Sequence, residues 1–189
     1  MSDEPEKRRF HKVEAKRTVF TFAELHTAGL HALQDGTGRP KGSFYEFMMA
    51  NVLAAFSLEA YLNHLGPQRF SCWKELRLPV ASKLALLLDD LSQRPDFSRR
   101  PFQTVKDMFR FTNQLAHGSS KRVEEASVQK LFPGESPCYP QVEWETQCTQ
   151  KTAERFIEDA QAVIVQLHEW AGLNTTLLWS LGAGSAVIT

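Results

Sequence analysis

Apolar residues recur at helical spacing through most of this chain, and no run shows the two-residue alternation of a half-buried strand. Val19, Phe22, Ala23, Leu25, Leu30 and Leu33 predict a first helix from Val19 to Leu33, interrupted by Gly29. The run "QDGTGRPKGS" breaks that period and reads as a loop. The strongest helix follows in "SFYEFMMANVLAAFSLEAYLNHLG", with Ser43 and Glu46 as a capping box and Gly66-Pro67 as the stop. Its apolar positions wrap almost the whole circumference, which predicts the central, most buried helix of a bundle. Glu59 is the exception on it, and sits either on a wet strip or in an ion pair.

Downstream, "PVASKLALLLDDLSQ" predicts a short helix ending near Ser92, "RPDFSRRP" a loop, and "FQTVKDMFRFTNQLAHG" the next helix. Residues 118 to 142 are rich in Ser, Pro and Glu and longer than the usual connection, with one helical turn expected near Glu124 to Lys130. A last long helix is expected from about Thr146 to Trp170, with Ala153, Phe156, Ile157, Ala160, Val163, Ile164 and Leu167 on its apolar face. These elements predict an all-α protein, an antiparallel bundle of four or five helices. The bundle occupies residues 18–172, between a charged, flexible segment at 1–17 and an apolar tail at 173–189. That tail, broken by Asn174, Gly182 and Gly184, is too short to span a membrane and is expected to pack on the domain or on a partner chain.

Composition narrows the functional classes. The chain has 189 residues, enough for one domain with its own core, and 22 basic residues balance 22 acidic ones. No global field would hold it on nucleic acid, so any such site needs a local patch. Three widely spaced cysteines, Cys72, Cys138 and Cys148, form neither a disulfide framework nor a metal pair, which fits a reducing, cytoplasmic compartment. His26, His31 and His64 are scattered without Cys, Asp or Glu at ligand spacing, so no metal or cofactor is expected. Asp89-Asp90 and Glu124-Glu125 read as solvated faces, and Phe70, Trp73 and Trp144 as core or interface anchors.

The candidate chemistry lies on the fourth helix. At about 100° per residue, Val105, Met108, Phe109, Leu115 and Ala116 share one face with Thr112 near its middle. Lys106, Arg110, Asn113 and His117 form a second, polar stripe, spaced 4, 3 and 4 residues apart. An arginine, an amide and an imidazole that titrates near working pH could cleave RNA without a metal. The histidine would move the proton of a 2′-hydroxyl, and the arginine would hold phosphate through two parallel hydrogen bonds. The same spacing also describes a solvated helix face ending His-Gly, with Gly118 in the left-handed conformation.

The words "FRFTNQLAHG", "FSLEAYLNHLG", "KLALLLDDL" and "CTQKTAERFIEDAQAVIVQLHEW", in that family's order, resemble the HEPN superfamily (higher eukaryotes and prokaryotes nucleotide-binding domains) over roughly Phe44 to Trp170. The resemblance implies a helical bundle acting as a homodimer, with Arg and His of both copies facing across a cleft. Many members are metal-independent ribonucleases of toxin–antitoxin, abortive-infection or CRISPR systems, and others are silent modules binding nucleotide, RNA or a protein partner such as a cognate antitoxin. His117 matches the family histidine and Asn113 the asparagine four residues before it, while Thr112 stands where the motif arginine is expected. Arg110, with six residues between it and His117, satisfies the looser spacing. Either Arg110 replaces the lost arginine, or the fold persists without the chemistry. Glu59 could position Arg110 or His117, and Lys121 and Arg122 could extend a phosphate-binding patch beside it.

Overall fold

The computed structural model describes residues 13–39, 41–126, 129–130, 132–134 and 138–188. Among these, five helices make the body: α1 (Thr21–Thr37), α2 (Phe44–Arg69), α3 (Val80–Asp90), α4 (Phe102–Ala116) and α5 (Gln150–Trp170). The protein is therefore mostly helical. Two short strands, β1 (Val13–Thr18) and β2 (Ala183–Ile188), pair antiparallel from Val13 opposite Ile188 to Thr18 opposite Ala183. No strand was expected there. Every β1 side chain is exposed, so the ribbon has no buried face to impose an alternating pattern on the sequence. The rest of the charged segment, residues 1–12, lies outside the described residues.

α2 is the hub, touching each of the other four helices. Ala50, Ala54, Leu58, Tyr61, Leu62 and Leu65 on it are fully buried, as its nearly all-round apolar pattern predicts. Contacts fix the helix directions. Phe47 near the start of α2 lies on Gly36 at the end of α1, and Ser57 Oγ donates to the Phe22 carbonyl at 2.8 Å, so α1 and α2 are antiparallel. Phe102 stacks on Trp170 and Phe111 meets Phe156 edge-on, so α4 and α5 are antiparallel too. Asn51 Nδ2 donates to the Gln147 carbonyl just before α5, while Tyr61 reaches His168 near its end, so α2 and α5 run the same way. So do α2 and α3, through Glu59–Lys83 and Arg69–Asp90. The bundle is thus not uniformly antiparallel: the link at 70–79 brings the start of α3 back to the middle of α2, beside Phe56 and Glu59, and the link at 117–149 brings α5 back toward the end where α2 begins.

Several element ends shift from their expected places. α1 runs on to Thr37, into the expected loop. Ser43 makes no side-chain cap; its hydroxyl donates to the Arg39 carbonyl at 2.9 Å. Gly66-Pro67 does not stop α2, which continues to Arg69. The glycine serves packing instead, since a Cβ there would lie 2.1 Å from Trp73 Cε2. α5 starts at Gln150, where the Thr149 hydroxyl accepts the Thr152 amide at 3.3 Å, after a separate 3-10 turn at Glu145–Gln147. The helical turn expected near Glu124 to Lys130 is absent from its described residues; 127–128 lie outside them.

The tail after α5 is anchored on the core. Leu178 is buried, and Trp179 stacks on buried His26 at 4.6 Å. His168 Nε2 lies 3.0 Å from the Asn174 carbonyl and must donate to it, which leaves Nδ1 to accept the Tyr61 hydroxyl at 2.9 Å. No helix among the described residues is long and apolar enough to cross a membrane.

Candidate functional site

The amphipathic period of α4 divides it as the wheel predicts, with Lys106, Arg110, Asn113 and His117 all exposed. Its buried face is centred differently. Thr104, Val105, Met108 and Phe111 are fully buried, Thr112 is half-buried, and Ala116 is exposed. Phe111 therefore takes the core position given to Thr112 by the wheel. The Thr112 hydroxyl donates back to the Met108 and Phe109 carbonyls, both at 3.2 Å. That is the usual resource of a threonine inside a helix.

The helix ends on His117, whose amide donates to the Asn113 carbonyl at 3.0 Å and whose φ of −114° lies outside the helical range. Gly118 is not left-handed, contrary to expectation. It is required for another reason: a Cβ would stand 2.6 Å from the Gln114 carbonyl oxygen. The glycine thus lets the chain turn away tightly behind the histidine.

Two hollows meet at His117. One, of about 300 Å³, brings His117, Asn113 and Thr112 of α4 together with Phe56 and Glu59 of α2 and Val80 of α3. Among the described residues lining it, Glu59 alone is formally charged, and its Oε1 accepts from Lys83 at 3.1 Å. The second, of about 520 Å³, places His117 with Gln114, Lys121, Glu143, Trp144 and Glu145. The side chains of His117 and Asn113 make no hydrogen bond or ion pair with described residues.

The remaining candidates are dispersed. Arg110 contacts Asp107 at 3.5 Å and Glu143 at 3.6 Å, so its guanidinium lies beside carboxylates rather than in either hollow. The Lys106 ammonium sits 5.4 Å above the Phe97 ring. Lys121 lines the second hollow, whereas Arg122 is directed to Glu124. Glu59 shares a cavity with His117, yet its ion pair is with Lys83 and not with Arg110. Lys83, Glu143 and Glu145 escaped sequence reasoning. They come from α3 and from the chain after the long loop, where no local spacing ties them to α4. Among the described residues, no three His, Cys, Asp or Glu side chains gather as a metal site would need. No family model, curated protein or solved structure matches the chain. Function therefore rests on this geometry.

Proposed function

We propose that the chain is a HEPN-type ribonuclease of toxin or phage-defence kind, cutting single-stranded RNA as a cytoplasmic homodimer without a metal ion. The observation that carries this reading is the pair of side chains His117 and Asn113, unengaged among the described residues and opening into one cavity beside a carboxylate. His117 takes the 2′-hydroxyl proton, Asn113 orients the ring or a phosphate oxygen, and Arg110 holds the phosphate. Arg110 is free to do so. Its two contacts are long and exposed, and each such pair contributes only about 0–1 kcal/mol. Two charge-assisted bonds to a phosphate exceed that. An apolar stripe on α2 supplies a face for the second copy: Tyr45 and Met49 are exposed and Val52 is half-buried along one side of the helix.

The test is cleavage of a single-stranded RNA pool in EDTA. The wild type is expected to leave 2′,3′-cyclic phosphate ends, and His117→Ala to be slower by about 100-fold or more. Cleavage that needs a divalent ion, or survives His117→Ala, defeats the reading.

A second reading has its own support. Thr112 has neither charge nor reach for a phosphate, and its hydroxyl is spent on its own helix. On that reading the chain is a catalytically silent module that binds nucleotide, RNA or a cognate antitoxin protein. An inert wild type, together with cleavage gained in Thr112→Arg, would favour it.

A further inference from the structure

The cavity between α2, α3 and α4 has the composition of a base pocket, and we infer that it selects guanine. Its volume of about 300 Å³ is at the lower end for small-molecule sites, room for one base rather than a stacked pair. Phe56, an aromatic residue left 46% exposed, supplies a face for stacking. Opposite chemistry comes from Glu59. Lys83 occupies one lone pair of Oε1, and the carboxylate keeps acceptor capacity on both oxygens. The Thr112 hydroxyl donates to helix carbonyls, so toward the cavity its oxygen can only accept.

An acceptor-rich wall discriminates among the bases. Guanine alone presents two adjacent donors, N1–H and the 2-amino group, which match a carboxylate with two parallel bonds. Adenine, cytosine and uracil each offer one donor there and set a ring nitrogen or carbonyl lone pair against the second carboxylate oxygen. The Asn113 amide supplies the donor that guanine O6 needs.

His117 borders the same cavity, so the nucleotide whose base enters it brings its own ribose to the imidazole. This part rests on the ribonuclease reading: the bond cut is the one following guanosine. The 2′-oxygen bonds to phosphorus, its proton passes to His117, the bond from phosphorus to the next 5′-oxygen breaks, and that oxygen takes a proton from water.

Titration of the wild-type protein with guanosine, inosine, adenosine, cytidine and uridine 5′-monophosphates tests the pocket, followed through the His117 ring signals. Guanosine monophosphate is expected to bind about tenfold more tightly than the adenosine, cytidine and uridine nucleotides, and inosine monophosphate, which lacks the 2-amino group, to lose most of that margin. Glu59→Gln should bring guanosine monophosphate to the level of the others. Equal binding of all five, or no guanosine monophosphate binding, overturns the inference. Mapping cut sites on the RNA pool separates it from the parent reading. His117-dependent cleavage without guanosine before the cut leaves the ribonuclease and removes the pocket. Selective binding without cleavage leaves the pocket and removes the ribonuclease.

Discussion

Asp159 on α5 is 4% exposed; its two oxygens share the single N–H of Arg100 Nε, at 2.8 and 3.0 Å, and Oδ2 also accepts from the Thr104 hydroxyl. The carboxylate correspondingly raises the pKa of Arg100, first through these bonds and then through those of Glu158. Truncation would hurt the two partners unequally. Arg100 is half-exposed and finds water, whereas Thr104 is fully buried and keeps an unpaired hydroxyl. Breaking a fully buried pair costs roughly 3–5 kcal/mol, so with one partner wet Asp159→Ala is expected to cost about 2–3 kcal/mol. Urea unfolding measures it, and a loss below about 0.5 kcal/mol would show that the network is only surface charge. Since these groups sit at the start of α4 and His117 at its end, the folded variant should keep its site. At this scale the sequence was legible for side-chain exposure but not for pairing. The period of α4 placed Lys106, Arg110, Asn113 and His117 in solvent, but could not show that Arg110 would meet Glu143 across a long loop.

Elements with a buried face were readable because burial writes its period into the chain. α4 and α5 carry that period and α2 is apolar almost all round; packing overrode a local stop at Gly66 beneath Trp73, whereas the start of α5 moved to a local cap at Thr149. The β1–β2 ribbon carried no such period, since nothing in β1 is buried. Isolated two-stranded ribbons are marginal in water. Two truncations distinguish ribbon from anchor. Ending the chain after Ser180 removes β2 but keeps Leu178 and Trp179, and is expected to shift the thermal midpoint by less than about 3 °C, the equivalent of under 1 kcal/mol. Ending it after Leu173 also removes buried Leu178, the Trp179–His26 stack and the Asn174 carbonyl that receives His168, and is expected to cost about 3–5 kcal/mol. Equal losses in the two truncations would mean that the ribbon itself holds the tail.

The whole molecule registers pH through histidines that the bundle keeps neutral. His26 is 5% exposed, its Nδ1 has no partner among the described residues, and burial lowers its pKa. His64 is lowered as well, first by burial and then by the positive charge His168 would carry nearby. In the unfolded chain both return to about 6.5. Their folded values lie below that, so between the two the unfolded state binds more protons, and stability must rise with pH across the window. Their contribution is complete above about pH 6.5 and is lost as pH falls through the folded values, with a limiting slope of about 1.4 kcal/mol per pH unit for each proton. The free energy of urea unfolding is therefore expected to fall between about pH 7.5 and about pH 5.5, above the range where carboxylates dominate. His26→Phe should flatten that dependence, because it keeps a ring against Trp179 and removes the proton site. If variant and wild type lose stability in parallel over this interval, His26 is not the group that titrates, and removing His64 in the same background decides whether its neighbour is.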